Sequence, residues 1–354
     1  MEIIEGKTSL TVPEGKPTKR MEAFYNPLMG VQRSITIALL KSLGRKMRIA
    51  DPLAGTGVRA ARLMNEAPEL VKEIVCNDAN PNAVKYVKQN FFGRVENTDA
   101  NVFLHSNGAF DFVDIDPFGS PVPFLDSACQ SLSLKGILAL TATDTAALAG
   151  SAVHACKRKY WAMPLNNEYK HETGIRILIR KAQLVASQYE KSLIPIYCYL
   201  GTHYTRVFLR EEGAVQDVFK QHGYIHHCFR CLKREVKQSN VPERCCNAPM
   251  SVAGPLWIGS LWNEKLAKDV SVEAKKVDET IIKLTRTIAD ESAIDAVGTY
   301  SLPKIASKYK LAVPKMEECL NKINASRTHF MKQSVRTAET LNSLLCALER
   351  PQKV

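Results

Sequence analysis

The first half of the chain predicts an α/β domain built around a mostly parallel, doubly wound sheet. Short apolar runs alternate with runs in which apolar residues recur every three or four positions. Strands separated by helices favour parallel pairing, because a parallel connection needs a crossover long enough to contain a helix. The length of 354 residues and the hydrophobic content of 45% are sufficient for this domain and for smaller ones beside it.

The predicted strands and helices alternate along the first 150 residues. Two further strands within 194–211 are expected to pair antiparallel and to close the sheet. We expect strands in 47–57 (running into a Gly-rich turn), 73–81, 98–104, 110–117 and 136–145, and helices in 58–70, 82–92 and 124–132.

The pattern changes after residue 223. Residues 224–261 lack a helical period and contain four cysteines, which is typical of a zinc-ribbon-like segment. Residues 262–354 return to a helical pattern, and 301–323 predict the helix, turn and helix of a winged-helix-like module. We therefore divide the chain into 1–223, an α/β domain, then 224–261, and then 262–354, a C-terminal α+β domain.

The net charge of +12 is concentrated beyond residue 150. Residues 151–250 contain 16 basic and 8 acidic side chains, whereas residues 1–150 contain 16 of each. A polyanionic partner such as a nucleic acid would explain this excess. A solubilising surface is the alternative.

Nothing in the sequence predicts a membrane or secretory protein. No stretch of 18 uncharged apolar residues occurs, and the first 20 residues lack the apolar core of a signal peptide. The ten cysteines are therefore expected to be reduced thiols or metal ligands. We expect a cytoplasmic protein, and the sequence indicates no obligate protein partner.

The segment that ends the first strand has the features of a cofactor-binding turn. It reads DPLAGTG, from Asp51 to Gly57. Glycines at 55 and 57 permit a tight turn and a close approach of a ligand to the backbone. Asp78 follows the next strand, where an acidic residue would bind a pair of ribose hydroxyls. A plain strand-to-helix turn with an exposed aspartate is the alternative.

Two cofactors, a nicotinamide dinucleotide and S-adenosylmethionine (SAM), are compatible with this turn. The third glycine of the usual dinucleotide fingerprint is replaced here by Ala60. Asp51 at the mouth of the turn would repel a pyrophosphate, whereas it would suit the ammonium group of SAM. The turn therefore favours SAM over a nicotinamide cofactor.

Asp99 and Ala100 stand beside the third predicted strand. In cofactor-binding sheets this position lies against the adenine ring, where a carboxylate can accept a hydrogen bond from the exocyclic amine. A surface turn stabilised by the aspartate side chain is the alternative.

Another acidic segment, DFVDIDPFGSP (111–121), ends the fourth predicted strand. Asp116 comes at the carboxyl end of this strand, where open α/β sheets bind ligands. A carboxylate there can accept a hydrogen bond from an aromatic amine and take up its proton during methyl transfer. Pro117 fixes the backbone, and Phe118 can stack on a planar base. A helix N-cap is the alternative role for Asp116.

These motifs occur together with several segments that resemble one enzyme family. DIDPFGSP is similar to the Asp/Asn-Pro-Pro-aromatic motif of amino methyltransferases, in a variant form. The other segments resemble the tRNA guanine-26 N2-dimethyltransferases in their archaeal form, from about residue 20 to residue 340. They are FYNP (24–27) with Arg33, TATDTA (141–146), KRKYW (157–161), EYKHE (168–172), AGPLW (253–257) and SRTHF (326–330).

The resemblance implies a Rossmann-like class I SAM methyltransferase domain and a smaller C-terminal domain that binds tRNA. The implied reaction places one or two methyl groups on the N2 amine of guanine 26 in tRNA, with SAM as the methyl donor. Carried over by position, Asp116 would be the catalytic residue that receives the N2 hydrogens. Pro117 and Phe118 would contact the substrate.

The resemblance also implies a set of cofactor contacts. Phe24 would offer an aromatic face to the sulfonium cation, and Arg33 would pair with the methionine carboxylate. The family usually has an acid after this arginine, whereas this chain has Ser34, so the local salt bridge of the family is not expected here. The implied cofactor-binding residues are Phe24, Arg33, Asp51, Gly55, Gly57, Arg59, Asp78, Asp99 and Ala100.

Four cysteines are candidate ligands of a structural zinc ion: Cys228, Cys231, Cys245 and Cys246. The first two have the spacing of a zinc knuckle. The last two are adjacent, where the family has a C-x-x-C pair that would begin at Glu243. Adjacent cysteines rarely bind one tetrahedral ion together, so Glu243 or His227 could complete the site instead. A ribbon held by packing alone is the alternative.

The basic and aromatic run from Cys156 to Trp161 is a candidate RNA contact, because cations neutralise phosphates and aromatic rings stack on bases. A solvated charged face beside a buried aromatic residue is the alternative. Two other functions stay open to the sequence. One is an amino methyltransferase for another nucleobase in rRNA or DNA, and the other is an RNA-binding protein without catalytic activity.

Overall fold

The computed structural model of the chain describes residues 1–18 and 21–348. It begins with an antiparallel hairpin of two short strands, β1 (Glu2–Glu5) and β2 (Thr8–Thr11). An alternating α/β region follows. In chain order it contains α1 (Gly30–Leu43), β3 (Met47–Asp51), α2 (Val58–Glu66), β4 (Val71–Asn77), α3 (Pro81–Asn90), β5 (Arg94–Glu96), α4 (Ala100–Ser106), β6 (Phe110–Ile115), α5 (Leu125–Ser131), β7 (Leu132–Ala142), α6 (Thr145–Leu148), α7 (Val153–Tyr160), α8 (Lys170–Ala186), β8 (Leu193–Leu200) and β9 (Thr205–Glu211).

Seven of these strands form one sheet in the order β5-β4-β3-β6-β7-β9-β8. The pairs from β5 to β7 are parallel. Strand β9 runs antiparallel to both β7 and β8, as predicted for the stretch 194–211. The predicted doubly wound α/β fold is therefore confirmed.

One predicted strand is a helix. The sequence predicts a strand over 98–104, whereas the structure has α4 there and β5 just before it. Asp99 caps this helix, because its Oδ1 accepts the backbone N–H groups of Asn101 at 2.9 Å and of Val102 at 3.3 Å. The prediction was wrong because this cap outweighs the strand preference of the apolar residues after it.

The second half contains smaller sheets and a set of helices. Strands β11, β10 and β14 form one sheet, and β12 pairs with β13 in a hairpin that carries Cys245. Near the C-terminus, β15, β17 and β16 form a sheet beside α12 and α13, which are the two helices predicted over 301–323. The elements are α9 (Val215–Lys220), β10 (His222–His227), β11 (Arg234–Lys237), β12 (Arg244–Cys245), β13 (Ala248–Pro249), β14 (Ser251–Trp257), α10 (Glu264–Val277), α11 (Ile282–Ser292), β15 (Tyr300–Ser301), α12 (Leu302–Tyr309), α13 (Met316–Lys322), β16 (Ala325–Arg327), β17 (Ser334–Thr337) and α14 (Leu341–Leu348).

One hydrophobic core extends from the sheet into the helices that follow residue 262. Phe112 of the sheet, Leu266 of α10 and Ile288 of α11 belong to this core, and α10 packs against α1. A separate, smaller core contains Leu302 and Val335. The domain boundary at 262 stays a prediction, and residues 349–354 of the predicted C-terminal domain lie outside the described residues. In the described parts of the chain, no helix is both long enough and apolar enough to cross a membrane.

A fully buried ion cluster joins α8 to the C-terminal region. Arg336 donates from Nη2 to Glu172 at 2.7 Å and from Nε to Glu291 at 3.3 Å. Arg176 donates to the same Glu172 at 2.8 Å, and the His329 ring contacts Glu291. Burial opposes ionisation of Glu172, but Arg336 and Arg176 outweigh it and lower the pKa of this carboxyl to about 2. The segments EYKHE and SRTHF therefore meet in one structural cluster.

Replacing Arg336 tests this cluster. Arg336→Leu would leave two buried carboxylates without their shared cation, so we expect the free energy of unfolding to fall by about 3–5 kcal/mol. Urea unfolding followed by circular dichroism measures this change. Arg94→Leu is the matched control, because its ion pair with Glu96 is half exposed and should contribute only about 0–1 kcal/mol. Equal effects of the two changes would contradict a structural role for the cluster.

Candidate active site

The carboxyl ends of the parallel strands open into a crevice of 730 Å³. Asp51 ends β3, Asp78 follows β4 and Asp116 follows β6, so three acidic residues meet at the edge where open α/β sheets bind ligands. The structure brings most of the predicted site residues together here. Those that line the crevice are Phe24, Arg33, Asp51, Gly55, Arg59, Asp78, Asp116, Pro117 and Phe118.

Gly55 and Gly57 have separate roles in the turn after β3. Their φ angles are 55° and 74°, in the left-handed region that favours glycine. A Cβ atom on Gly55 would lie 2.8 Å from the carbonyl oxygen of Phe24, and one on Gly57 would lie 3.0 Å from the Cα of Val87. Gly55 therefore allows the Phe24 segment to approach the crevice. Gly57 allows α2 to begin against α3.

Backbone groups fix the Asp78 carboxylate in the crevice wall. Its Oδ2 accepts the N–H of Gly55 at 2.8 Å, and its Oδ1 accepts the N–H of Asn80 at 2.9 Å. Burial raises the pKa of Asp78, and these two N–H groups oppose that shift. The carboxylate is thus oriented by the turns that follow two neighbouring strands.

Asp51 is a buried carboxylate at the base of the crevice. Its Oδ2 accepts no hydrogen bond within the described part of the chain. Burial raises the pKa of Asp51 to about 7; the Arg59 guanidinium opposes this rise, and the neighbouring Asp114 adds to it. A buried oxygen without a protein donor is suited to a cationic or N–H group of a ligand.

Arg59 holds the predicted catalytic carboxylate. Its Nη2 donates to Oδ2 of Asp116 at 2.6 Å, and its Nη1 lies 2.9 Å from Oδ2 of Asp114. Asp114 also accepts two bonds of 2.7 Å from Arg206, and both partners are fully buried. Burial opposes ionisation of Asp114, but Arg206 and Arg59 lower its pKa below the ordinary value. Arg59 therefore contacts Asp116 directly, in addition to lining the cofactor side that the sequence predicts.

The alternative that Asp116 caps a helix is wrong. The next helical segment is a short 3-10 turn, Val122–Phe124, whose N-cap is Pro121, and α5 begins after it. Pro117 is buried and Phe118 is 45% exposed. The rings of Phe118 and Phe24 meet edge to face, with centroids 4.5 Å apart. An aromatic pair therefore connects the predicted substrate side of the crevice with the predicted cofactor side.

Sequence reasoning missed the side chains that support the Asp116 loop. Gly119 donates its N–H to Oγ1 of Thr143 at 2.7 Å, and its carbonyl accepts the Thr143 N–H at 2.8 Å. The Tyr160 hydroxyl donates to Asp144 at 2.7 Å and lies 2.8 Å from Oγ of Ser120. Thr143 and Asp144 belong to TATDTA, and Tyr160 belongs to KRKYW. Membership in those segments was the signal that could have identified these three residues.

Arg33 pairs with an acidic residue of the N-terminal hairpin. Its Nε and Nη2 donate to the two oxygens of Glu5 at 2.7 Å and 2.5 Å. Ser34, which follows it, donates to Asp278 at 2.7 Å. The contact predicted between Arg33 and a methionine carboxylate stays a prediction, and Glu5 holds the guanidinium in the crevice wall.

Asp99 and Ala100 are not among the described residues that line the crevice. Asp99 is exposed and caps α4, and Ala100 is buried as the first residue of that helix. The turn that the sequence left as an alternative is therefore present at Asp99. The predicted adenine contacts of both residues stay predictions.

The four candidate zinc ligands come together between β10 and β14. The Sγ atoms of Cys228, Cys231, Cys245 and Cys246 all lie within 4.8 Å of one another. The Sγ atom of Cys245 lies 3.5 Å from that of Cys231 and 3.9 Å from that of Cys246. Four thiolates bound to one zinc ion at about 2.3 Å would lie about 3.8 Å apart, so this donor set fits the ion.

The two other candidate ligands have different contacts. Glu243 forms an ion pair with Lys237, and the His227 ring packs against the rings of Tyr169 and Phe229. Cys246 has a left-handed backbone, with φ of 51°. This turn lets two adjacent cysteines face the same point, which the sequence pattern alone did not predict.

Comparison with known proteins agrees with this geometry. Residues 6–349 match the family described as TRM, N2,N2-dimethylguanosine tRNA methyltransferase. The tRNA (guanine(26)-N(2)/guanine(27)-N(2))-dimethyltransferase of Aquifex aeolicus is 39% identical, over 99% of this chain and 96% of that one. The tRNA (guanine(26)-N(2))-dimethyltransferase of Methanothermobacter thermautotrophicus is 36% identical, over 94% of each chain.

A solved structure is similar over its full length. The complex of Trm1 from Pyrococcus horikoshii with S-adenosyl-L-methionine has a TM-score of 0.89 and 31% identity, and the match covers 99% of this chain and 100% of that one. The predicted class I methyltransferase fold and the predicted activity, SAM-dependent methylation of the guanine N2 amine in tRNA, are therefore confirmed. The chain belongs to the N2,N2-dimethylguanosine tRNA methyltransferase family.

Proposed function

We propose that the crevice brings the N2 amine of guanine 26 of tRNA to Asp116, beside a SAM molecule held by the turns after β3 and β4. The observation that carries this proposal is the Asp116 carboxylate, which Arg59 fixes at the crevice next to the half-exposed ring of Phe118. The experiment that tests it is methyl incorporation into unmodified tRNA transcripts, with the product nucleoside identified by mass mapping.

The crevice residues fit SAM in charge and in position. The Asp78 carboxylate, oriented by two backbone N–H groups, is suited to the two ribose hydroxyls. The unsatisfied oxygen of Asp51 is suited to the ammonium group of the amino-acid end. The Phe24 ring lines the crevice, where it can face a cation. When bound, SAM supplies a methyl group on a positively charged sulfur.

Asp116 is the acceptor for the protons that leave the guanine amine. The lone pair of this nitrogen is delocalised into the purine, so the amine is a poor nucleophile. A carboxylate that accepts a hydrogen bond from the amine raises the electron density on nitrogen and can take its proton. Asp116 uses one oxygen for Arg59, and its other oxygen accepts no hydrogen bond from the described residues. The amine carries two hydrogens, so the same oxygen can serve one methylation or two.

Pro117 and Phe118 hold the base in place. A guanine in folded tRNA is stacked and has to leave its stack to reach the crevice, at a cost of about a few kcal/mol. The half-exposed Phe118 ring offers a new stacking surface that offsets part of this cost. The bonds between Gly119 and Thr143 keep the loop that carries this ring in one conformation.

The remaining parts of the chain support this reaction. We assign the methyltransferase domain to residues 1–223, a zinc ribbon to 224–261 and a tRNA-binding domain to 262–354. The basic excess of residues 151–250 supports RNA binding, because cationic side chains release counterions from phosphates. Four clustered thiols support a zinc site that stabilises the ribbon.

Replacing Asp116 separates its charge from its shape. Asp116→Asn should lower the single-turnover methylation rate by about 10²–10⁴-fold, because the acceptor for the amine proton loses its charge. The dissociation constant of SAM, measured by calorimetry, should be unchanged. Asp111→Asn is the matched control, because Asp111 lies on the same strand and bonds only to Arg48 and Ser133 within the described residues. Wild-type turnover in both Asp116→Asn and Asp116→Ala would remove Asp116 from catalysis.

Replacing Asp78 tests the ribose contact. Asp78→Ala should weaken SAM binding by about 1.5–3 kcal/mol, which is the range for a lost charged hydrogen bond. Asp99→Ser tests the adenine contact in the same titration, because serine keeps the helix cap and removes the carboxylate. Unchanged SAM affinity in Asp99→Ser would limit Asp99 to its cap. Unchanged affinity in Asp78→Ala would exclude Asp78 from the cofactor site.

Metal analysis tests the cysteine cluster. The purified protein should contain about one zinc ion per chain, and Cys231→Ser should lose it and unfold at a lower temperature. Cys246→Ser shows whether the adjacent cysteine is a ligand. Cys346→Ser is the control, since Cys346 is exposed and lies outside the cluster. Zinc contents equal to wild type in both cluster variants would contradict the site.

A further inference from the structure

A second groove, of 460 Å³, opens on the side of α7 that faces β14. Its floor is held by two backbone hydrogen bonds of 2.8 Å between Met163 and Gly254. Its walls include Lys157, Trp161, Tyr224 and Asn240. We call this surface the Trp161 groove.

The backbone conformation of Trp161 does not favour a tryptophan at this position. It is the C-cap of α7, with φ of 55° and ψ of 41°, a left-handed conformation that glycine or asparagine adopts at much lower cost. The residue is 59% exposed, so burial does not explain a tryptophan there either. A bulky aromatic residue kept in a strained and exposed position indicates a binding role.

Two cations beside the groove have no acidic partner among the residues that the structure describes. The ammonium of Lys181 lies 3.2 Å from the centroid of the Trp161 ring, and Lys181 is only 4% exposed. Its neighbour Arg180 has buried Nε and Nη1 atoms that donate no hydrogen bond within the described residues. Burial lowers the pKa of Lys181, and the charge of Arg180 adds to this effect. A buried cation without an anionic partner is costly, even where an aromatic ring covers it as at Lys181, so the pair is suited to an anion from outside the chain.

The groove is joined directly to the catalytic loop. Tyr160 precedes Trp161, and its hydroxyl bonds to Asp144 and Ser120, the latter in the loop that begins at Asp116. Lys159 forms an ion pair with Asp144 at 2.9 Å. A polynucleotide with one base at Asp116 would therefore continue over the exposed end of α7, where Lys157 and Arg158 add positive charge.

We propose that the Trp161 groove binds the tRNA strand next to the target nucleotide. The indole of Trp161 stacks on a base or ribose of this strand, and Arg180 and Lys181 bind a backbone phosphate. The aromatic ring favours a nucleic acid over an acidic peptide, because each nucleotide offers both a planar base and a phosphate. This inference rests on the proposed function and adds a substrate contact outside the crevice.

Trp161→Gly provides the first test, because glycine suits the left-handed backbone and removes the ring, together with its contact with Lys181. The KM for a tRNA transcript should rise at least about fivefold, as expected for the loss of one stacking contact. The dissociation constant of SAM should be unchanged, and unfolding in urea should show a folded protein. Trp161→Tyr should restore most of the affinity.

Lys181→Gln provides the second test. The plot of the logarithm of the tRNA association constant against the logarithm of salt concentration should become shallower by about 1, the slope of one phosphate contact. Lys135 supplies both controls. It has a left-handed backbone, with φ of 60°, and lies near the amino end of β7, at the opposite edge of the sheet from the crevice. Lys135→Gly and Lys135→Gln should therefore leave the KM and the salt slope unchanged.

The outcomes separate this inference from the proposed function. Wild-type KM and salt slope in both Trp161→Gly and Lys181→Gln, with tRNA methylation intact, would overturn the groove and leave the enzyme activity standing. Failure of the wild-type protein to methylate tRNA would instead overturn the proposed function. A selective rise in KM with unchanged SAM binding would support the groove.

Discussion

The ion pairs of Arg59 connect the helix that follows the glycine turn with the Asp116 loop. This arginine is the second residue of α2, just after the glycine turn that follows β3, and its guanidinium reaches across to Asp114 and Asp116 at the end of β6. The turn that is predicted to hold SAM and the carboxylate that is predicted to accept the amine proton are therefore positioned by one rigid fork. Arg59 is almost fully buried, so solvent screens these pairs little.

Among the described residues, the charges below the crevice do not balance. Arg59 and Arg206 supply two cations, whereas Asp51, Asp114 and Asp116 supply three carboxylates. Asp114 is paired with both arginines and Asp116 with one, so the unbalanced group is Asp51, whose pKa burial raises to about 7. A cationic ligand would supply the missing charge, and SAM carries both an ammonium and a sulfonium group. The base of the crevice therefore suits a positively charged cofactor. A nicotinamide dinucleotide is a poor match, because its pyrophosphate is anionic.

The sequence predicted those features that depend on short patterns. Alternating apolar runs predicted the sheet, and Asp51, Asp78 and Asp116 could be placed at one edge because parallel strands end at the same side. The helix after Asp99 was missed, since local capping and strand preference conflict there. Contacts between distant segments, such as Arg33 with Glu5, carry no local pattern and could not be predicted. Cys245 and Cys246 face one point only because of a left-handed turn that the residue types do not require.

Four of the family segments make structural contacts with one another or with the C-terminal region. Asp144 of TATDTA and Tyr160 of KRKYW meet beside the Asp116 loop. Glu172 of EYKHE and His329 of SRTHF belong to the buried cluster around Arg336. Helix α8 carries Glu172 at its beginning and Lys181 further along, so it connects this cluster with the Trp161 groove. Methylation of one nucleotide in a large RNA requires a fixed distance between the base pocket and the proposed phosphate contact, and helix α8, held by a buried ion cluster, would maintain that distance.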